Sequence, residues 1–247
     1  MAGQFVWAGW DYIGEPTPYY GSRSSSFGII DLAGFRKNRF YLYKSQWRPD
    51  APFVHIFPHW NWSERVGMIT PVHIFTTGDE AELFLNGRSL GKKRKGELEF
   101  RLRWDNVIYE PGELKAIAYK DGVKWAEATV QTTGQPAGLV AQPDRNEIYA
   151  DGKDLSFVTV QVVDNKGRMV PIANNMINFT IEGPGEIVAT DNGDPADMLE
   201  FPSHSRNAFN GKALVIVRGI SGEAGSITLR GKSENLEEVV VNITTKL

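Results

Sequence analysis

The stretch GQFVWAGWDYIGEPTPYYG, residues 3–21, crowds Phe5, Val6, Trp7 and Trp10 beside two acids, Asp11 and Glu15. Two carboxylates in one site can divide general acid and general base work when their surroundings push their pKa values apart. Asp11 and Glu15 have the i,i+4 spacing of one helix face, but Gly14 and Pro16 argue against a helix there. A loop could still join them, though nothing in the sequence fixes one, and the expected role is a polar loop. Asn146-Glu147, within RNEIYADG, opens a predicted strand and is read as coincidence. Of the four histidines (55, 59, 73 and 204), only His55 and His59 are close, and Pro58 between them rules out a helical ligand pair. The loop TDNGDPADMLE, 190–200, is acid-rich but lacks the full ligand spacing of a calcium loop, and it reads as a shaped turn. No catalytic residue, metal site or cofactor is predicted. Trp60 and Trp62, in FPHWNWSER, suit a sugar platform or a strand end packed on a neighbour, and the packing reading is preferred.

The elements that must position these groups are mostly strands. The chain has 247 residues, 41% hydrophobic and 23% charged, which is ordinary globular composition and enough for two domains. A net charge of −3 argues against a nucleic-acid partner, and Lys92–Lys95 read as a solvated hairpin end. No apolar run approaches the ~20 residues of a membrane span. The absence of cysteine removes disulfides and thiolate metal sites and is compatible with cytoplasm, periplasm or cell surface.

From about residue 50 the period is two. Leu98, Phe100, Leu102 and Trp104 alternate with charged residues. Ala81, Leu83 and Leu85 run into Asn86-Gly87, and Leu114, Ala116 and Ala118 run into Asp121-Gly122, both strong hairpin turns. TTGQPAG, 132–138, is the best linker. Beyond it Val158, Val160 and Val162 alternate before a turn at 164–167, followed by Ile177/Phe179/Ile181, Ala213/Val215/Val217, Ile227/Leu229 and Val239/Val241/Ile243. This grammar predicts an all-β chain with two immunoglobulin-like β-sandwiches, 48–134 and 135–247. Residues 1–47 read differently: an apolar strand at Phe5–Trp7, a loop over 14–28, and a helix over 35–47 with Phe40, Tyr43 and Trp47 on one face. One such β/α unit cannot bury both its faces alone.

FVW before an acid-bearing loop, GIIDLAGFRKNRFYLYKSQWRPD at 28–50, and DNGDP at 191–195 near SRNAFNGKALVIVR at 205–218 together resemble family-two glycoside hydrolases of the bacterial β-galactosidase type. The resemblance implies that residues 1–47 are the last strand, loop and helix of a (β/α)₈ barrel and that the two sandwiches follow it, with Met1 an added or exposed start. It implies a β-galactoside or related glycan as the intact enzyme's substrate, cleaved by two glutamates that are missing from this chain. It also implies that Trp7 forms the floor of a sugar subsite, with Trp10 its rival for the exposed position and Asp11 an acceptor for sugar hydroxyls. The apolar face of residues 1–47 is then expected to dock on the first sandwich, to self-associate as a homo-oligomer, or to fray. The competing expectation is a carbohydrate-binding or adhesin-like module, because DLSFVTVQVVDNKGRMVP, 154–171, resembles bacterial immunoglobulin-like surface repeats.

Overall fold

The computed structural model describes Gly3 and residues 5–247, so the reading of Met1 lies outside the described residues. Their contacts divide the chain into two units, Arg36–Thr132 and a discontinuous one made of Met1–Phe35 with Thr133–Leu247. The second division falls in the segment 132–138, and at the first the helix groups with the residues after it while the segment before it groups with the far end of the chain.

The first unit contains α1 (Asn38–Trp47) and the strands β1 (Val54–Phe57), β2 (Val72–Thr76), β3 (Glu80–Leu85), β4 (Arg88–Arg94), β5 (Leu102–Trp104), β6 (Glu113–Lys120) and β7 (Val123–Gln131). They form two antiparallel sheets, ordered β1-β2-β5 and β4-β3-β6-β7. Alternate residues of both sheets, among them Ile56, Val72, Ile74, Leu83, Leu102 and Leu114, meet in one core. Asn86 and Gly87 take φ of 50° and 78°, and Asp121 and Gly122 take 51° and 79°, the positive angles that a two-residue hairpin turn requires. The expected strand over 98–104 is shorter than its alternation suggests. The Gly96 amide donates to the Glu99 carboxylate and the Glu99 amide to the Gly96 carbonyl, so a turn occupies this stretch and leaves Leu98 exposed.

The helix docks by a face one residue away from the predicted stripe. Tyr41 stacks on His55 of β1, centroids 4.0 Å apart and planes 14° apart, and the Lys44 ammonium lies 4.5 Å over Phe53. Ser45 is the helix's buried residue, whereas Tyr43 and Trp47 contact each other and Trp47 is exposed. Aromatic stacking, not aliphatic periodicity, holds this helix, and the 3.6-residue pattern does not register it.

In the second unit the strands are β8 (Gly138–Pro143), β9 (Glu147–Tyr149), β10 (Leu155–Val163), β11 (Met176–Glu182), β12 (Gly185–Asp191), β13 (Ser205–Asn207), β14 (Lys212–Gly219), β15 (Gly225–Lys232) and β16 (Val239–Lys246). The sheets are ordered β12-β14-β10-β8 and β13-β11-β15-β16-β9, with β9 parallel to β16. Val158, Val160, Val215 and Val217 from one sheet face Ile177, Phe179, Ile227 and Ile243 from the other. After β10, buried Asp164 accepts the amides of Gly134, Lys166 and Arg168 and pairs with the Arg168 guanidinium at 2.6 Å. Burial opposes the charge on Asp164, but these donors outweigh it and hold the carboxyl well below its ordinary value.

Residues 5–35 contain no named strand. Phe5, Val6 and Trp7 are not paired, and the segment is held by bridges at Trp10–Ile30 and Ile13–Ser24. An apolar run forms a strand only where neighbours accept its ladder bonds. The segment docks on the loop 191–201 of its own unit. The Arg23 amide donates to the Pro195 carbonyl at 2.7 Å, and the Arg23 guanidinium donates to the Leu199 carbonyl at 2.8 Å and lies 4.7 Å from the Phe201 ring. Gly193 has φ of 77°, and a Cβ there would sit 2.4 Å from the Asp31 carboxyl. No helix of the described residues is long and apolar enough to cross a membrane.

Candidate functional site

The exposed aromatics of residues 5–35 form the candidate site. Trp7 is 72% exposed. Its indole N–H donates to the Tyr12 hydroxyl at 3.0 Å, with the two rings edge-on at 6.3 Å. The Tyr12 hydroxyl in turn donates to the Glu15 carboxylate. That bond holds the phenol protonated, with its pKa above the ordinary value. Trp7, Tyr12 and Glu15 are thus one hydrogen-bonded chain that fixes an indole facing solvent. Trp10 is also exposed and anchored through its backbone to Ile30.

Asp11 points the other way. It is buried, its carboxylate accepts the Gly28 amide at 2.7 Å, and its own amide donates to the Ile30 carbonyl at 2.9 Å. A Cβ on Gly28 would lie 2.2 Å from the Asp11 nitrogen and 2.5 Å from the Ile30 carbonyl oxygen, so only glycine allows this backbone approach. Asp11 therefore holds the loop that carries Trp7 and Trp10. Asp11 and Glu15 do not form a pair: one is beneath the loop and the other is engaged by Tyr12 at the surface. Tyr12 is the member of the constellation that the sequence reading passed over, and its place between Trp7 and Glu15 in WAGWDYIGE was the available signal.

The other candidates are engaged within their own units. Burial pushes His55 down to about 4, and its Nε2 meets the Asn38 side chain at 3.0 Å. The His59 ring stacks on Trp62, 4.3 Å between centroids. Trp60 is wholly buried, donates its indole N–H to the Glu110 carbonyl at 2.9 Å and packs on Tyr109. Glu147 pairs with Lys246 across the β9–β16 ladder. The acids of the loop 190–200 cap its own amides: Asp191 accepts from Asn192 and Gly193, and Asp194 from Ala196. Among the described residues no group of three His, Cys, Asp or Glu could hold a metal ion.

Comparison with known proteins identifies the family. A family model described as glycoside hydrolase family 2 C-terminal domain 5 matches residues 139–242, and one described as a domain of unknown function, DUF4982, matches residues 67–126. Beta-galactosidase BoGH2A of Bacteroides ovatus is 46% identical over the whole of this chain, which covers 29% of that relative. The chain belongs to glycoside hydrolase family 2. Within this family, a putative beta-glucuronidase of Formosa agariphila is 33% identical over 89% of the chain and 22% of its own length. A crystal structure of a beta-glycosidase from Bacteroides vulgatus superposes with a TM-score of 0.90 at 32% identity, covering 96% of this chain and 30% of that one. A family 2 member from Bacteroides cellulosilyticus gives 0.91 at 30% identity, covering 98% and 36%. The chain thus spans about a third or less of the length of these relatives, in the part that carries the family's C-terminal β-sandwich domains.

Proposed function

We propose that this chain is the C-terminal, non-catalytic portion of a retaining β-galactosidase-type glycosidase. In this reading both sandwiches are immunoglobulin-like, residues 1–47 complete a (β/α)₈ barrel, and Trp7 and Trp10 form a wall against which a terminal sugar stacks. The carrying observation is the 46% identity that extends over the whole chain yet covers only 29% of the Bacteroides ovatus beta-galactosidase. The chemistry of the wall supports the same reading. A flat indole matches the C–H face of a sugar, and the Tyr12–Glu15 relay holds that indole in one orientation before any ligand arrives. Asp11 serves the wall from beneath, as a positioning residue and not as a direct ligand.

A retaining glycosidase needs two carboxyl groups about 5–5.5 Å apart across the bond to be cleaved. Asp11 and Glu15, the nearest acids to the wall in sequence, are committed to opposite sides of the loop. The purified chain is therefore expected to release no chromophore from a nitrophenyl β-galactoside. In an enzyme joined to a family 2 barrel, Trp7→Ala is expected to lower kcat/KM by roughly 10- to 100-fold, the range of one lost packing contact of about 1.5–3 kcal/mol. Turnover by the isolated chain, or full activity of the Trp7→Ala enzyme, would refute the reading.

A further inference from the structure

The unit formed by Met1–Phe35 and Thr133–Leu247 holds an open cleft of about 530 Å³ beside the loop 191–201, and no residue of the Trp7 wall lines it. Its surface is unlike the sandwich core. Asn174, Asn207 and Asn210 present side-chain amides that make no hydrogen bond with another described residue. Half-buried Phe209 and the exposed Ile172 and Met198 supply apolar surface between them.

The backbone beneath these side chains is fixed. The Ala208 amide donates to the Asn175 carbonyl at 2.8 Å and the Phe209 amide to the Lys212 carbonyl at 2.8 Å. Asn210 takes φ of 51°, and Gly211 beside it has no room for a Cβ, which would stand 2.3 Å from the Val170 carbonyl oxygen. The charged groups at the cleft are already engaged. Asp197 is paired with the buried Arg206 and accepts the Leu199 amide, and Asp194 accepts the Ala196 amide. No lysine or arginine lines the cleft, so no cation there pairs with a phosphate or a carboxylate.

What remains is a set of neutral groups, each a donor and an acceptor at once, around an apolar floor. Vicinal hydroxyls also donate and accept, and a pyranose ring offers apolar C–H faces between them. The volume lies within the ~300–1,000 Å³ of small-molecule sites, and the open shape admits a ligand that continues beyond the cleft. We propose that this cleft binds a neutral oligosaccharide through the amides of Asn174, Asn207 and Asn210, with a sugar ring against Phe209.

The test is calorimetric titration of the whole chain with four neutral tetrasaccharides: cellotetraose, xylotetraose, β-1,4-galactotetraose and β-1,4-mannotetraose. At least one should bind saturably. The N174A/N207A double variant should bind it roughly tenfold or more weakly with an unchanged melting temperature. As a readout that needs no variant, the side-chain amide resonances of Asn174, Asn207 and Asn210 should shift on titration. The proposal is overturned if none of the four binds. It is equally overturned if binding survives the double substitution, or if the three amide signals stay in place while a sugar binds.

Discussion

Arg206 shows at the scale of one residue how this chain turns an acid-rich loop into a rigid one. Its guanidinium is fully buried and donates to Asp197 at 2.9 Å, to the carbonyls of Leu199, Thr190 and Glu200 at 2.9, 2.9 and 2.7 Å, and to the Thr190 hydroxyl at 3.2 Å. A delocalised fork of five N–H groups can satisfy five acceptors at once, which lysine cannot do. Burial alone would raise the Asp197 carboxyl, but the Leu199 amide and the Arg206 guanidinium outweigh it and leave its pKa below the ordinary value. The same loop receives Arg23 from the N-terminal segment, so its shape carries to that segment through ordinary hydrogen bonds. Arg206→Met would leave Asp197 without its partner and several carbonyls without donors. The expected cost is about 3–5 kcal/mol, measured by urea denaturation of the second unit. A loss under about 1 kcal/mol would mean that water replaces the guanidinium and that the loop does not depend on it.

Elements built on strict alternation were legible. The runs that became β3, β6, β10 and β14 offer several repeats of period two, and the alternating apolar residues of each are buried, with Ser156, Val163 and Leu214 buried as well. β13 is three residues, too short to establish a period, and its existence depends on its pairing with β11. The helix was legible as an element but its docking face was not, because stacking of Tyr41 on His55 is a pairwise event and leaves no repeat. The exposure of Trp7 and Trp10 does not follow from any period, since these aromatics sit in a loop. The inward turn of Asp11 was not legible, since it depends on Gly28 meeting the chain from the far side of a loop. The Tyr41–His55 contact also makes the α1–β1 junction sensitive to pH. His55 has an ordinary value of 6.5 and a folded value of about 4, lowered by burial. The unfolded chain therefore binds the proton more readily than the folded one. The stabilisation is complete above about 6.5 and is lost as the pH falls towards 4, by roughly 1–3 kcal/mol. His59 and His73 are lowered in the same direction, so they add to the slope. His55→Gln should flatten the dependence of the urea midpoint on pH between about 7 and 4.5. An unchanged slope would remove His55 as its source.

At the scale of the whole molecule, sequence order and structural grouping part company. Met1–Phe35 belongs with Thr133–Leu247, and Arg36–Thr132 is a unit of its own inserted between them. Reading along the chain could not show this, because the contacts that decide it, such as Arg23 with Pro195 and Leu199, join residues far apart in sequence. The inserted unit should be able to fold alone. It has its own core around Trp60, Trp104 and Tyr109, and its strands pair with one another. The segment 36–132, expressed by itself, is expected to unfold in one cooperative transition with a blue-shifted tryptophan emission. Starting it at residue 48 instead removes α1. That uncovers His55 and Phe53 and deletes the bond from the Gln46 amide to the Phe100 carbonyl at 3.3 Å. The shorter piece should fold but be less stable by about 1–3 kcal/mol, the scale of one aromatic side chain taken out of a packed site. Equal stability of the two pieces would mean that the helix contributes nothing to this sandwich. If the longer piece failed to fold while the whole chain folds, the grouping by contacts would not correspond to a folding unit, and the division would have to return to residue 47.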